Sequence, residues 1–205
     1  MGLAVLLILM GYLLGSIPFG YLIVKIKSGR DVREVGSHSI GATNVMRTAG
    51  RWGGILTFVM DVGKGFVAVL IARMWAPGNH EVIAAVALAA IIGHVFPLFL
   101  KFKGGKGVAT GVGVFLAIFP QAVAAVLVIF VVVVWVSRYI SLGSIIATAA
   151  FPVFAYFLGQ KILPTPIIVA TVFGALLIVA KHYENIRRLL RGTENRFTGF
   201  SKKTL

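Results

Sequence analysis

Apolar residues fill seven long runs of this chain, and most polar residues between them gather into three stretches. The runs cover about residues 3–24, 53–75, 81–100, 107–119, 121–136, 141–158 and 163–181. A stretch of roughly 17 to 25 apolar residues crosses the hydrocarbon core of a bilayer as a helix. The pattern therefore predicts an all-α polytopic membrane protein with seven transmembrane helices. The fourth run is short and glycine-rich, and only Pro120 and Gln121 mark its junction with the fifth. The first run has no basic segment ahead of it and many apolar runs behind it, so it reads as a membrane helix and not as a signal peptide. No internal repeat, linker or low-complexity tract is visible, and residues 1–205 read as a single integral-membrane domain.

Composition agrees with this reading. Hydrophobic types make up 59% of the 205 residues and charged types 13%, with a mean hydropathy of +0.96. A soluble domain carries about twice that charge fraction. The absence of cysteine excludes a disulfide framework, a thiolate metal site and acyl transfer through a cysteine thioester. The net charge of +14 reads as topological anchoring and contact with anionic membrane lipid, with no nucleic-acid partner.

The distribution of basic residues sets an orientation. With the N-terminus outside, segments 25–51, 101–106, 137–139 and 181–205 face the cytoplasm and hold 6, 3, 1 and 7 Lys or Arg, 17 in all. Outside lies Lys161 alone, while Lys64 and Arg73 fall within the second run. An even number of crossings would spoil this segregation. Seven crossings, an external N-terminus and a cytoplasmic C-terminus are expected, which collects the polar stretches on the cytoplasmic face.

The first polar stretch, Gly29 to Gly50, holds Ser37, His38, Ser39, Thr43, Asn44 and Arg47. Its apolar periodicity is poor, so it reads as a long donor-rich loop suited to an oxyanion. Gly36 and Gly41 are placed to turn backbone amides toward a ligand. The second stretch contains KGGKG, where Gly104, Gly105, Lys106 and Gly107 lead straight into a helix. Consecutive glycines expose N–H groups, Lys106 adds a point charge, and the helix N-terminus adds a positive field, which together predict a phosphate cradle. Gly107 follows Lys106 where a nucleotide P-loop has Ser or Thr. The third stretch runs from Lys181 to Glu194. His182 and Asn185 share a helical face there, and Ile186, Leu189 and Leu190 form a stripe expected to pack the segment back.

Asp61 and Lys64 lie about 12 to 17 Å along the second helix from Gly53, at 1.5 Å per residue. Both are costly in hydrocarbon unless paired; spaced by three, they can form an intrahelical ion pair or contact other helices, and a structural role is expected. His94 is expected to be a hydrogen-bonded helix residue. No metal site is predicted, because no group of His and acidic residues has ligand spacing. No cofactor is called for.

Taken in order, Gly15-Ser16-Ile17-Pro18-Phe19-Gly20, GATNVMR from Gly41, Asp61 with Lys64-Gly65, GHVFP from Gly93, KGGKGVAT from Lys103, and His182 with Asn185-Ile186 and Gly192-Thr193-Glu194 resemble the acyl-phosphate:glycerol-3-phosphate acyltransferase family, PlsY. The resemblance spans nearly the whole chain. It implies a multi-pass bacterial inner-membrane enzyme that forms lysophosphatidic acid from glycerol 3-phosphate and a long-chain acyl phosphate, in phospholipid synthesis. It leaves room for contact with the soluble enzyme that makes the acyl phosphate. Carried over, the activity roles fall on Ser37 and Arg47, glycerol 3-phosphate binding on Gly104, Gly105, Lys106 and Gly107, and further roles on His182 and Asn185; Thr43 and Asn44, read from the donor-rich first stretch, are expected to join the substrate-binding set. Glu194 is implied to be structural. One departure is His38-Ser39, where relatives commonly have Gly-Asn, so His38 inherits no essential role.

Ordinary acyltransferases use a His-Asp pair as general base, yet no histidine here has an acidic residue four or five positions later. A substrate phosphate, with a second pKa of about 6, can take the proton instead. A transporter for an anionic metabolite is the rival reading, but it would need its site near the membrane midplane.

Overall fold

The computed structural model describes residues 1–159 and 163–197, and every regular element among them is helical. Lys161, assigned to the outer face, and Lys202 and Lys203, assigned to the inner, lie outside the described residues.

The first apolar run is two helices, α1 (Gly2–Ser16) and α2 (Phe19–Ser28). Pro18 is the cause: it lacks an N–H and pushes Ile17 out of the helical region, to φ −61 and ψ 116. The third helix, α3 (Ala42–Trp75), begins eleven residues before the predicted start at Gly53 and is interrupted at Gly50, whose φ is 83. The first polar stretch is therefore half loop and half helix, and Arg47 stands on a helical turn. Next come α4 (His80–Val95), with a 3-10 turn at Leu98–Leu100, and α5 (Val108–Ile118). The chain then forms α6 (Pro120–Ser137), α7 (Ile140–Gly159), α8 (Thr165–Ala180) and α9 (Tyr183–Leu190).

Among the described residues, five helical stretches are long and apolar enough to cross a membrane, namely Gly2–Ser28, Ala42–Trp75, His80–Leu100, Pro120–Ser137 and Ile140–Gly159. A sixth is α8 taken together with α9, bent by 54°. Helix α5 has 11 residues, a rise of about 16 Å, which is roughly half the hydrocarbon thickness.

Lipid offers no hydrophobic drive for helix association, so close backbone packing must hold the bundle. Helices α1 and α4 meet through small residues: a Cβ at Gly15 would collide with the Ala90 carbonyl, and one at Gly93 with that of Tyr12. Helix α5 lies against α3 in the same way, at Gly65 and Gly113. Exposed residues such as Val128, Val131, Val132 and Trp135 on α6 face outward, as lipid-facing positions should.

A second, smaller core holds the polar stretches in place. Val24, Val32, Ile40, Val45, Ala49 and Leu100 bury together, joining α2, the first loop, the start of α3 and the turn after α4. The loop is tied further by Arg33, which pairs with Asp31 at 2.7 Å and donates to the Leu100 carbonyl at 3.4 Å.

Candidate active site

The first loop is built around Asn44. Its Oδ1 accepts from the Ser37 amide at 2.9 Å, and its Nδ2 donates to the carbonyls of Val32, Val35 and Ser39 at 3.0, 2.9 and 2.9 Å. The whole side-chain amide is thus occupied by the loop, so Asn44 shapes the site without offering a free donor. Gly36 takes φ 66 and His38 takes φ 54, whereas Gly41 is extended at φ −74; only the first of the two glycines uses the left-handed region. Ser37 is half-buried, and its hydroxyl bonds to no described residue. Arg47 is exposed and forms no ion pair with a described residue. His38 is exposed, and its Nδ1 donates to the Arg33 carbonyl at 2.8 Å.

The glycine-rich segment departs from the expectation of freely exposed amides. Gly105 donates its N–H to the His94 carbonyl at 3.1 Å. A Cβ at Gly104 would overlap that same carbonyl, and one at Gly105 would overlap the His94 ring nitrogen Nε2. These glycines are needed because the strand of loop lies directly on α4. Gly107, at φ 92, then turns the chain into α5, so of the expected phosphate cradle Lys106 and the α5 N-terminus remain.

Beneath this loop, Asp61 and Lys64 form the expected ion pair at 2.8 Å, with both side chains almost fully buried. Lys64 also donates to the Ile17 carbonyl at 2.8 Å, which the Pro18 break leaves with only the Phe19 amide, at 3.2 Å, as a backbone donor. His94 Nδ1 stands 3.6 Å from Asp61 Oδ1, beyond hydrogen-bonding distance, and it has no hydrogen-bond partner among the described residues. The hydrogen bond expected for its side chain is not formed.

In the third segment Glu194 is the organiser. Its Oε1 accepts from Ser141 Oγ at 3.1 Å and from Asn185 Nδ2 at 2.9 Å, and its Oε2 accepts from Arg188 Nε at 2.7 Å. These bonds fix α9 and the chain after it to α7. His182 and Asn185 are both buried, on one face as expected. The apolar stripe packs only in part: Ile186 and Leu189 are half-buried, but Leu190 is 83% exposed. Leu190 is the last residue of an eight-residue helix, and the turn that follows carries it off the bundle.

The three segments converge. Lys106 lies in the electrostatic field of Glu194, Arg188, Glu184 and Arg47, and His182 lies in that of Lys106 and Glu194. Burial, only partly offset by Glu194 and Glu184, lowers the Lys106 ammonium to about 8. Burial also lowers His182 to about 4; its bond to the Ile178 carbonyl works against this and the Lys106 charge adds to it. Sequence reasoning missed Arg188, although its spacing of three from Asn185 puts it on the same helical side. It also missed Ser141, for which the sequence carries no signal.

A partly open apolar cavity lies between α5, α6, α7 and α8. Val108 and Gly111 line it two and five residues beyond Lys106, and Phe115, Phe130 and Phe151 line it further along. A charged cluster at the head of an apolar cavity suits a substrate with an anionic end and a long hydrocarbon tail.

Comparison with known proteins agrees with this chemistry. The family model described as glycerol-3-phosphate acyltransferase matches residues 5–192. The chain belongs to that family. A glycerol-3-phosphate acyltransferase of Syntrophotalea carbinolica is 47% identical over 193 residues, covering 94% of this chain and 96% of the relative. One of Geobacter sulfurreducens is 51% identical over 187 residues, covering 91% and 93%. The crystal structure of PlsY, an integral membrane glycerol 3-phosphate acyltransferase, in its glycerol 3-phosphate form superposes with a TM-score of 0.90 at 41% identity, covering 95% of both chains. Its lysophosphatidic acid form gives 0.86 at 39% identity, covering 96% of both. Within this glycerol-3-phosphate acyltransferase the buried Asp61–Lys64 pair lies beside His94, against which Gly105 packs, and Glu194 holds Asn185.

Proposed function

We propose that this glycerol-3-phosphate acyltransferase takes its acyl group from a long-chain acyl phosphate and releases lysophosphatidic acid and phosphate. The observation that carries the reading is the junction of the Lys106 cluster with the apolar cavity that begins at Val108. The solved relatives are named for a glycerol 3-phosphate form and a lysophosphatidic acid form, which fit the two parts of this site.

In the proposed reaction the primary hydroxyl oxygen of glycerol 3-phosphate attacks the acyl carbonyl carbon. The bond from that carbon to the phosphate oxygen then breaks, and phosphate departs with its electron pair. Ser37, Arg47 and Lys106 hold the phosphate and carbonyl oxygens where charge develops, with Thr43, Gly104, Gly107 and the α5 N-terminus around them. Asn44 and Gly105 support the binding segments through the bonds described above. His182 and Asn185 complete the site, while Asp61, Lys64 and Glu194 are structural.

The hydroxyl proton passes to a substrate phosphate. His182, at about 4, is a weaker base than a phosphate whose second pKa is about 6. His38 is exposed and directs Nδ1 to the Arg33 carbonyl.

The proposed topology has seven crossings, with α5 counted as one, an external N-terminus and a site toward the cytoplasm of the bacterial inner membrane. The uneven distribution of Lys and Arg supports this orientation. The chemical reading is tested by offering the purified protein labelled glycerol 3-phosphate with acyl phosphate, acyl-CoA and acyl carrier protein in turn. Lysophosphatidic acid is expected from acyl phosphate alone, and turnover confined to either thioester would overturn the donor assignment.

A further inference from the structure

Lys106 is half-buried yet forms no hydrogen bond or ion pair with a described residue, so the backbone on either side must hold it in place. On one side Gly107 rests against Ile91, Val95 and Ile178. On the other, Gly105 faces a single side chain: the three atoms nearest to its missing Cβ all belong to the His94 ring, with Nε2 the closest. The opposite edge of that ring is Nδ1, 3.6 Å from Asp61 Oδ1. Asp61 is paired with Lys64 at 2.8 Å, and Lys64 is held by the Ile17 carbonyl at 2.8 Å and lies over the Phe19 ring at 5.7 Å. One row of contacts thus runs from the break between α1 and α2, through α3 and α4, to the segment that carries Lys106. Asp61, Lys64 and His94 are all buried, where close packing leaves little room to turn aside.

An imidazole ring is rigid, so fixing one edge fixes the other. The Asp61 carboxylate favours a proton on Nδ1, which leaves the Nε2 lone pair directed at Gly105, where glycine offers a Cα hydrogen and any other residue a clash. We propose that His94 is a positioning residue for the acyl transfer, a strut that transmits the fixed place of the Asp61–Lys64 pair to Gly105 and so sets how deeply Lys106 sits in the site. This rests on the reading of Lys106 as a phosphate contact and deepens it. Depth matters because burial is what lowers Lys106 to about 8, with Glu194 and Glu184 opposing and Arg188 and Arg47 adding. His182 also lies within its field, and Asp61 and Lys64 are the charged groups beside His94. A lysine lifted toward water returns toward its ordinary value of about 10.4.

The test compares His94→Asn with His94→Gln in the full chain in lipid nanodiscs, with folding followed by thermal unfolding. Asn reaches the Nδ1 position beside Asp61 and stops short of Gly105, whereas Gln reaches the Nε2 position. The kcat/KM for glycerol 3-phosphate should fall at least about tenfold in His94→Asn and stay within about threefold of wild type in His94→Gln. A residue needed only as a partner for Asp61 would give the reverse. The alkaline rise in KM should move above about pH 8 in His94→Asn and stay in place in His94→Gln. Gly105→Ala, whose methyl meets the ring, should cost at least about tenfold less in the His94→Asn background than in the wild type. Equal kcat/KM in the Asn and Gln variants overturns the strut, as does a Gly105→Ala loss that is the same in both backgrounds. So does wild-type kcat/KM in Gly105→Ala itself, which needs no change at His94 to fold. A Lys106→Arg protein with the wild-type pH profile strikes the reading of Lys106 instead, while the strut still stands or falls on the Asn and Gln comparison.

Discussion

Gly105 donates its backbone N–H to the carbonyl of His94 at 3.1 Å, which lays the Lys106 segment flat against α4. A methyl group at position 105 would meet the His94 ring nitrogen, and the ring is too enclosed to turn aside. Gly105→Ala should therefore displace Lys106 while leaving the bundle assembled. Displacement of about 1 Å at a reacting group can cost roughly 10²-fold in rate, and that loss of kcat/KM is expected. Retained thermal stability with lost turnover is the signature; wild-type turnover would show that the loop tolerates lifting.

Lys106 should give the reaction an alkaline limb. Its amine is charged below about 8 and loses the proton as pH rises through that value, so phosphate affinity falls there. KM for glycerol 3-phosphate should rise above about pH 8 in the wild type. Lys106→Arg, which stays charged beyond pH 12, should lack the rise, whatever its turnover. An identical pH profile in both proteins would remove Lys106 as the titrating group.

The apolar runs were legible because hydrocarbon imposes one clear rule on each crossing helix, and most helix ends fall close to the expected positions. What eluded the sequence depends on partners distant in the chain. Residues 42–49 are helical because Val45 and Ala49 bury against Val24, Val32, Ile40 and Leu100, a core no local pattern reveals. Likewise KGGKG advertises free amides, yet Gly105 is already bonded to α4. The residue types of the site were readable, whereas the direction of each hydrogen bond required knowing what faced it, as Glu194 shows for Asn185.

Ser37→Ala should be severely impaired and His38→Ala should retain substantial activity. Ser37 offers a hydroxyl with no described partner, available to a phosphate or carbonyl oxygen under any mechanism. His38 is the histidine a conventional base mechanism would nominate, and its loss would then cost about 10²- to 10⁴-fold. Turnover against pH for both variants decides. A collapse of His38→Ala together with loss of an ionisation near 6.5 would restore it as the base.

Asn44→Ala should destabilise the first loop without touching substrate. It leaves the Ser37 amide and three carbonyls without their partner, and an unsatisfied buried group costs roughly 1–3 kcal/mol. A lower unfolding temperature is expected, together with greater proteolytic sensitivity at residues 32–39. Unchanged stability would mean that water replaces the amide freely.

Orientation can be read with single cysteines, since the chain has none of its own. His80→Cys and Arg191→Cys occupy exposed positions. An impermeant external reagent should label the first in intact cells and the second only after permeabilisation. The reverse result would invert the proposed topology.

The shortness of α5 sets the depth of the chemistry. Arg73, near the C-terminal end of α3, bonds to the Ala117 carbonyl near the end of α5, so those two ends lie level. Counting back 11 residues covers only about 16 Å, roughly half the hydrocarbon thickness, so in the proposed topology the start of α5 and its lysine are recessed from the cytoplasmic surface. The proposed donor, a mixed anhydride, would be shielded there from bulk water, the competitor that otherwise hydrolyses it. In the proposed reaction the recess would act as a drying chamber: the soluble alcohol descends into it, while the reactive lipid never has to surface.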